Sequence, residues 1–464
     1  MSTHGDRWGG WPRLRARWRC LDRAHAYIAA LMVAGLALRV LYVLTHRGIP
    51  TSGDGVYYFE WAKLLTHGHH FVDPTAAALG RDVAAAPHPP AWPVVLAPVS
   101  LLGFKGLLSH QLWAALVGTA TIGVVGLTGR RIAGPRAGVV AAAIAAVHPG
   151  FWMYERVLLS ETLALLLTAL CLYAAYGFWS RPGGRTAAVT GVCCGLLALT
   201  RAEAVLLVPL LLVPLVWLRR EADRPTRARW LGAGVAAALV TIAPWAIYNS
   251  TRFDHPVFLT TSLGQTVVSA NCADVYSGPH IGWWSYGCLV DATEANLGAG
   301  DDSSVDLAMR RQAVDYASGH ASRLPAVVLA REGRTWGLFQ PLAQASLDAV
   351  GGPGLDVTVL ALGAYWLLVP AAVAGGVHLR RRRVLVLPLL AMVATVAVAT
   401  ALTFGQTRYR ALAEVPIVLL AAAAIDSWLR APAAKQVEAA EASPPLATTT
   451  APAEPREPVA APAG

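Results

Sequence analysis

Apolar residues fill this chain in long runs separated by short polar breaks, and the runs are too uniform for the one-sided stripe of a soluble helix. They fall at roughly 25 to 45, 108 to 129, 137 to 154, 161 to 179, 186 to 200, 203 to 218, 230 to 248, 356 to 378, 384 to 403 and 409 to 428. Most are near the ~20 residues a helix needs to cross a bilayer. The pattern predicts an all-α integral membrane protein, a polytopic bundle of about 10 to 11 transmembrane helices. The eleventh candidate is "HPPAWPVVLAPVSLLG", His88 to Gly103. It is short and carries Pro89, Pro90, Pro93 and Pro98, which favours an interfacial or re-entrant helix over a full crossing.

Charge sets the orientation. Arginines cluster at Arg7 to Arg23, Arg130/Arg131/Arg136, Arg181/Arg185, Arg219 to Arg229, Arg380 to Arg383 and Arg430. All of them fall on one side, the cytoplasmic side, if His88 to Gly103 does not cross. The Arg7–Arg23 stretch is long and no small-residue cleavage pattern follows it, so the first apolar run reads as a span and not as a signal peptide. The expected organisation is a basic cytoplasmic N-terminus (1–24), a transmembrane core (25–248) with a first external loop (46–109), an external cap (249–354), C-terminal transmembrane helices (355–429) and a disordered cytoplasmic tail (430–464). The tail is rich in Ala, Pro, Glu and Thr and cannot bury a core. The cap is expected to be mainly helical, with apolar spacing at Val305, Met309, Val314 and Tyr316 to Ala317.

Of 464 residues, 55% are hydrophobic and 14% charged, which excludes an ordinary soluble domain. The net charge of +10 is spread through loop clusters and not gathered on one polar face, so it reports topology and gives no nucleic-acid partner. Cys20 is expected in the cytoplasm and Cys171, Cys193 and Cys194 in spans. Cys272 and Cys288 face the oxidising side, where they could close a disulfide within the cap or remain free thiols.

Ionisable residues other than the cytoplasmic arginines gather on the external face: Asp54, Glu60, Glu155, Arg156, Glu161, Arg201, Glu203, Arg252, Asp254, Gln406, Arg408, Arg410 and Glu414. Acids and arginines around an outer-leaflet cavity suit transfer of a sugar from a polyprenyl phosphate. A carboxylate takes the proton of the acceptor hydroxyl, and guanidinium groups steady the departing phosphate. A single displacement of this kind inverts the anomeric carbon. Plainer readings exist beside this one. In "GDGVYYFEWAKLL" Asp54 is placed to cap a helix whose Tyr57, Tyr58, Trp61, Leu64 and Leu65 form an interfacial aromatic face. Glu161 is placed to cap its span, and Arg201, Arg408 and Arg410 to meet lipid head groups. His67, His69 and His70 read as surface histidines before metal ligands, and the acceptor pattern at Asn249 is discounted.

The segments "RVLYVLTHRGIPTSGDGVYYFEWAKLL", "HPPAWPVVLAPVSLLG", "HPGFWMYERVLLSETLALLL", "GLLALTRAEAVLLVPLLL" and "FGQTRYRALAEVPIVLLAAAAI", in this order, resemble the GT-C superfamily of integral-membrane glycosyltransferases. The likeness is to the family 39-like branch, with the protein O-mannosyltransferases and the lipid A aminoarabinose transferase. It implies a GT-C bundle with external juxtamembrane helices and a polyprenyl-phosphate-linked monosaccharide as donor. It further implies Asp54 as catalytic base, with Glu161 assisting and Glu155 as runner-up. Arg201 and Arg408, with Arg410 and Arg252 as further candidates, are assigned to the donor phosphate, and Tyr57, Tyr58, His88, Pro89 and Pro90 to the cavity wall. Gly55 stands where many protein O-mannosyltransferases carry Glu, which leaves glycan, lipid or protein as acceptor. No cofactor is required by the pattern, and a divalent metal is compatible with it. The remaining alternatives are a lipid-linked polysaccharide polymerase or ligase, of which Arg310/Arg311 is a faint echo, and a transporter or flippase.

Overall fold

The computed structural model describes residues 11–47, 53–350 and 352–441, and among them only helices, turns and one isolated antiparallel bridge, Val72 to Ala84. Six helical segments are long and apolar enough to cross a membrane: Arg23–Thr45, Leu107–Ala133, Glu161–Ser180, Arg224–Ser250, Leu355–Arg381 and Thr407–Arg430. The other expected spans are shorter: Pro135–Val147, Gly184–Ala198, Ala202–Trp217 and Leu387–Leu402. Proline explains two of these differences. The residue before a proline is driven out of helical geometry, and the helix expected to reach residue 154 stops at Val147, ahead of His148 and Pro149. Pro209 and Pro214 lack the N–H that an α-helix needs. Residues 202–217 accordingly change from a 3₁₀ turn through one π turn to a short α segment.

The His88 to Gly103 stretch forms only the Ala91–Leu101 helix, whose rise of about 16 Å cannot cross a hydrocarbon core of about 30 Å. It lies against the Asp54–Thr66 helix with Trp92 fully buried, and the Trp92 indole donates to the Leu158 carbonyl at 2.7 Å. The last helix, Ala411–Glu441, continues past Arg430 into the stretch expected to be disordered; residues 442–464 and 1–10 lie outside the described residues.

Charged side chains bind the bundle together from inside. Arg39 on the first long helix donates through Nε to Glu155 at 2.8 Å and through Nη1 to the carbonyls of Gly35 and Ala146, each at 3.2 Å. Both partners are wholly buried, so each charge depends on the other for compensation.

The cap is helical, as its spacing suggests, but its buried stripe runs through Asp306, Met309 and Ala313 of Asp302–Gly319, while Val314 is 65% exposed. A disulfide joins Cys272 to Cys288. Arg331 and Arg334 are buried and donate to oxygen acceptors, with Arg331 doing so through its two Nη atoms. Arg331 reaches the carbonyls of Ala270 and Ala401 at 2.6 and 2.9 Å, and Arg334 that of Ile281 at 2.7 Å. The Arg331 bond to Ala401 ties the cap to the end of the Leu387–Leu402 helix.

Removing one member of a buried ion pair leaves the other charge unpaired. Arg39→Leu is expected to cost about 3–5 kcal/mol, and the Arg39→Leu/Glu155→Leu double variant distinctly less. Denaturation of the purified protein in detergent measures both; equal losses would show that the pair is not the source of the effect.

Candidate active site

Four turns from distant parts of the chain meet at one end of the bundle. The first is the start of the Asp54–Thr66 helix. Gly53, at φ 56° and ψ −133°, occupies its cap position in a backbone region that favours glycine, and a Cβ there would meet nothing within 4 Å. Asp54 is therefore the first residue inside the helix and not its cap. Its carboxylate is 34% exposed, accepts from Arg408 Nη2 at 2.9 Å and lies 3.7 Å from His88 Nε2.

Glu161 opens the Glu161–Ser180 helix, fully buried. One of its oxygens, Oε1, accepts from Arg201 Nη1 at 2.6 Å and Arg408 Nε at 2.7 Å, while Oε2 is buried without a hydrogen-bond partner. Arg201 precedes the Ala202–Leu206 turn, donates through Nε to Glu203 at 2.7 Å and lies over the Tyr409 ring, 4.9 Å from its centroid.

Arg408 sits in the Thr407–Arg410 turn, which the cap holds in place. Thr407 donates to Asp348 at 2.5 Å, and the Gly405 N–H donates to the Gly282 carbonyl at 2.8 Å. Gly405 is needed there because a Cβ would overlap the Arg331 carbonyl. His88 packs its ring 4.8 Å from that of Tyr58 and 5.7 Å from that of Tyr57, and so forms a wall beside Asp54.

The electrostatics follow from this packing. Burial works to raise the Asp54 carboxyl, but Arg408, His88 and Arg201 together outweigh it and hold Asp54 well below the usual carboxylate range. Burial lowers the His88 imidazole more than the Asp54 charge raises it. With Asp54, Glu161 and Glu203 against Arg201 and Arg408, the acids at the centre outnumber the arginines by one.

The other expected site residues are placed elsewhere. Glu155 is locked to Arg39 inside the bundle. Arg410 is buried, bonded to Glu414 at 2.7 Å and stacked on Tyr365. Arg252 donates to the Phe71 carbonyl and lies over Tyr248. Pro89 and Pro90 lead into the Ala91–Leu101 helix behind His88, and Asn249 is buried. His67, His69 and His70 go to separate neighbours: Lys105, Asp82 and the Tyr248 ring. No group of three or more His, Cys, Asp or Glu side chains stands together for a metal ion among the described residues.

Two members of the centre were not singled out by sequence. Glu203 was visible only as one of many acids on the expected external face. Tyr409 sits between the two arginines of "TRYR", where nothing in the sequence shows its ring beneath Arg201.

Residues 87–248 match a family model described as dolichyl-phosphate-mannose-protein mannosyltransferase, a stretch that holds His88, Glu161 and Arg201 but neither Asp54 nor Arg408. Nothing among the curated proteins matches the chain. Among solved structures it is similar to the archaeal oligosaccharyltransferase AglB of Archaeoglobus fulgidus, at 17% identity and a TM-score of 0.52, over 91% of this chain and 52% of that one. The chain thus spans about half the length of the oligosaccharyltransferase it matches. Looser similarity, with TM-scores of 0.43 and 0.40, extends to two further structures. ArnT of Cupriavidus metallidurans is 16% identical over 90% of this chain and 80% of that one; the Pmt1-Pmt2 complex of S. cerevisiae is 18% identical over 50% and 34%. The chain therefore shares its helical membrane fold with the matched half of the archaeal oligosaccharyltransferase and matches, over residues 87–248, the dolichyl-phosphate-mannose-protein mannosyltransferase family model.

Proposed function

We propose that the protein is a membrane glycosyltransferase. It moves a monosaccharide from a polyprenyl-phosphate donor to an acceptor hydroxyl at the external face of the cell membrane, with both termini cytoplasmic. The observation that carries this reading is the convergence of Asp54, Glu161, Arg201 and Arg408 beside His88. AglB has been solved with a dolichol-phosphate and ArnT with undecaprenyl phosphate, lipids of the class this site would take. The orientation follows from the arginine clusters at the opposite end of the bundle. Arg310 pairs with Asp306 within the cap, which gives no support to a polymerase or ligase built on paired arginines.

In this reading the donor phosphate replaces a carboxylate as partner of Arg408. Losing that partner removes the main charge that depresses Asp54 and makes its carboxylate a better base. Asp54 then takes the acceptor's proton as the hydroxyl oxygen bonds to the anomeric carbon. The bond from that carbon to the phosphate oxygen breaks, and its electron pair leaves on the phosphate, held by Arg408 and Arg201. Attack opposite the leaving phosphate inverts the anomeric centre. Glu161 keeps the two arginines in register through Oε1. Glycan, lipid and protein acceptors all present a hydroxyl, and no step is assigned to a metal.

Asp54→Asn preserves side-chain size and is expected to lower transfer by about 10²–10⁴-fold in membranes given labelled polyprenyl-phosphate sugars. Full activity in that variant would remove Asp54 from the base role. Arg408→Gln is expected to raise the donor KM at least tenfold, where a purely structural arginine would change stability and leave KM alone. The pH dependence has a fixed sign. Because the folded Asp54 pKa is depressed, its stabilising pairing is present above the unfolded value of about 4 and is lost only as pH falls through the lower folded value. Between pH 7 and 5, therefore, neither thermal stability nor donor binding should fall through protonation of Asp54, and titrating both in Asp54→Asn alongside the parent checks this.

A further inference from the structure

The end of the bundle away from Asp54 holds a cavity of about 190 Å³ that the proposed transfer does not use. It lies where two long helices finish, Leu107–Ala133 at Ile132 and Leu355–Arg381 at Leu379 and His378, beside Asp426 and Arg430 of the last helix. From Arg408 to Arg430 the chain is mostly one helix, which puts the cavity about 30 Å from the candidate active site. Its floor is apolar, with Ile132 and Leu379 among the lining residues, and Arg382 and Arg430 stand at its rim.

Arg382 has an ordinary role here, since it follows the Leu355–Arg381 helix and cations are favoured at helix C-termini. Two observations go beyond that role. Asp426, buried, accepts from Arg430 at 2.5 and 3.2 Å and fixes one guanidinium at the cavity edge. Arg382 has no such acid among the lining residues, so the charged lining comes to one positive charge, Arg382 and Arg430 against Asp426. The candidate active site has the opposite imbalance. A volume below the ~300–1,000 Å³ of drug-sized pockets suits a small head group and not a large cofactor. An apolar floor beneath a cationic rim suits an amphiphile and gives a free inorganic ion little to replace its water.

We propose that this cavity is a binding site for the phosphodiester head group of an anionic membrane phospholipid, with Arg382 as its principal charge contact. A phosphodiester carries the single negative charge that the lining lacks. The glycerol and first acyl carbons would cover the apolar floor, and basic pockets between helices are a known route to such recognition. The proposal stands independently of glycosyl transfer.

The test uses the full chain in nanodiscs of dioleoylphosphatidylcholine containing a minority of dioleoylphosphatidylglycerol, and reads phosphatidylglycerol retained after extraction into detergent by native mass spectrometry. The parent is expected to retain it over phosphatidylcholine at least fivefold above the nanodisc ratio. Arg382→Gln should lose most of that preference, Arg382→Lys should keep it, and Arg380→Gln, outside the cavity lining, should leave it unchanged. Equal retention in the parent and Arg382→Gln would overturn the proposal. So would displacement of phosphatidylglycerol by millimolar inorganic phosphate, since that result would mark a free-anion site. A folded Arg382→Gln protein, shown by an unchanged elution profile, keeps a loss of retention from being ascribed to unfolding.

Discussion

One guanidinium joins the separate parts of the candidate site. Arg408 bonds to Asp54 and Glu161, and Glu161 in turn holds Arg201, which holds Glu203. These residues come from the first loop, the start of a long helix, a 3₁₀ turn and the loop before the last helix, so their meeting requires the whole bundle to be folded. Arginine suits this position because it stays charged at any pH of interest and its planar donors serve two acceptors at once. The cap contributes by fixing the Thr407–Arg410 turn through Asp348 and Gly282, so that Arg408 is held from the cap as well as from the bundle.

Charge balance explains how such a centre can be both stable and reactive. While no donor is present the arginines offset all but one of the acid charges, which limits the bare charge at a poorly solvated end of the bundle. An anionic donor can enter only by taking a partner from an existing pair. Under the proposed function, the exchange at Arg408 would couple donor binding to the basicity of Asp54, and the site would not have to keep a strong base exposed in advance. Arg39 and Glu155 show the contrasting case. They are a pair of similar chemistry, wholly enclosed and bonded on several sides.

Buried arginines recur for the same physical reason. Arg331 and Arg334 spend their donors on carbonyl and amide oxygens where the cap meets the bundle, and Arg410 spends its own on Glu414 and Thr335. Each satisfies several acceptors that would otherwise be buried without a partner. In sequence these residues look the same as Arg408. The "TRYR" turn holds one arginine aimed at Asp54 and another, two positions later, aimed into the core, because successive residues in a tight turn point in different directions.

The sequence by itself determined the helical membrane architecture, the order of its segments, the non-crossing proline-rich stretch and the set of residues from which a site could be drawn. Those features depend on local apolar length, proline placement and charge clustering, which need no knowledge of the fold. Only the tertiary structure decided that Gly53 and not Asp54 caps its helix, that Asp54, Glu161, Arg201 and Arg408 share one network, and that Glu155, Arg252 and Arg410 stand apart from it. It also decided which expected spans are short. Side-chain direction and distance between remote segments carry the difference between a charge that holds the fold and a charge that can act on a ligand, and neither is written in residue spacing.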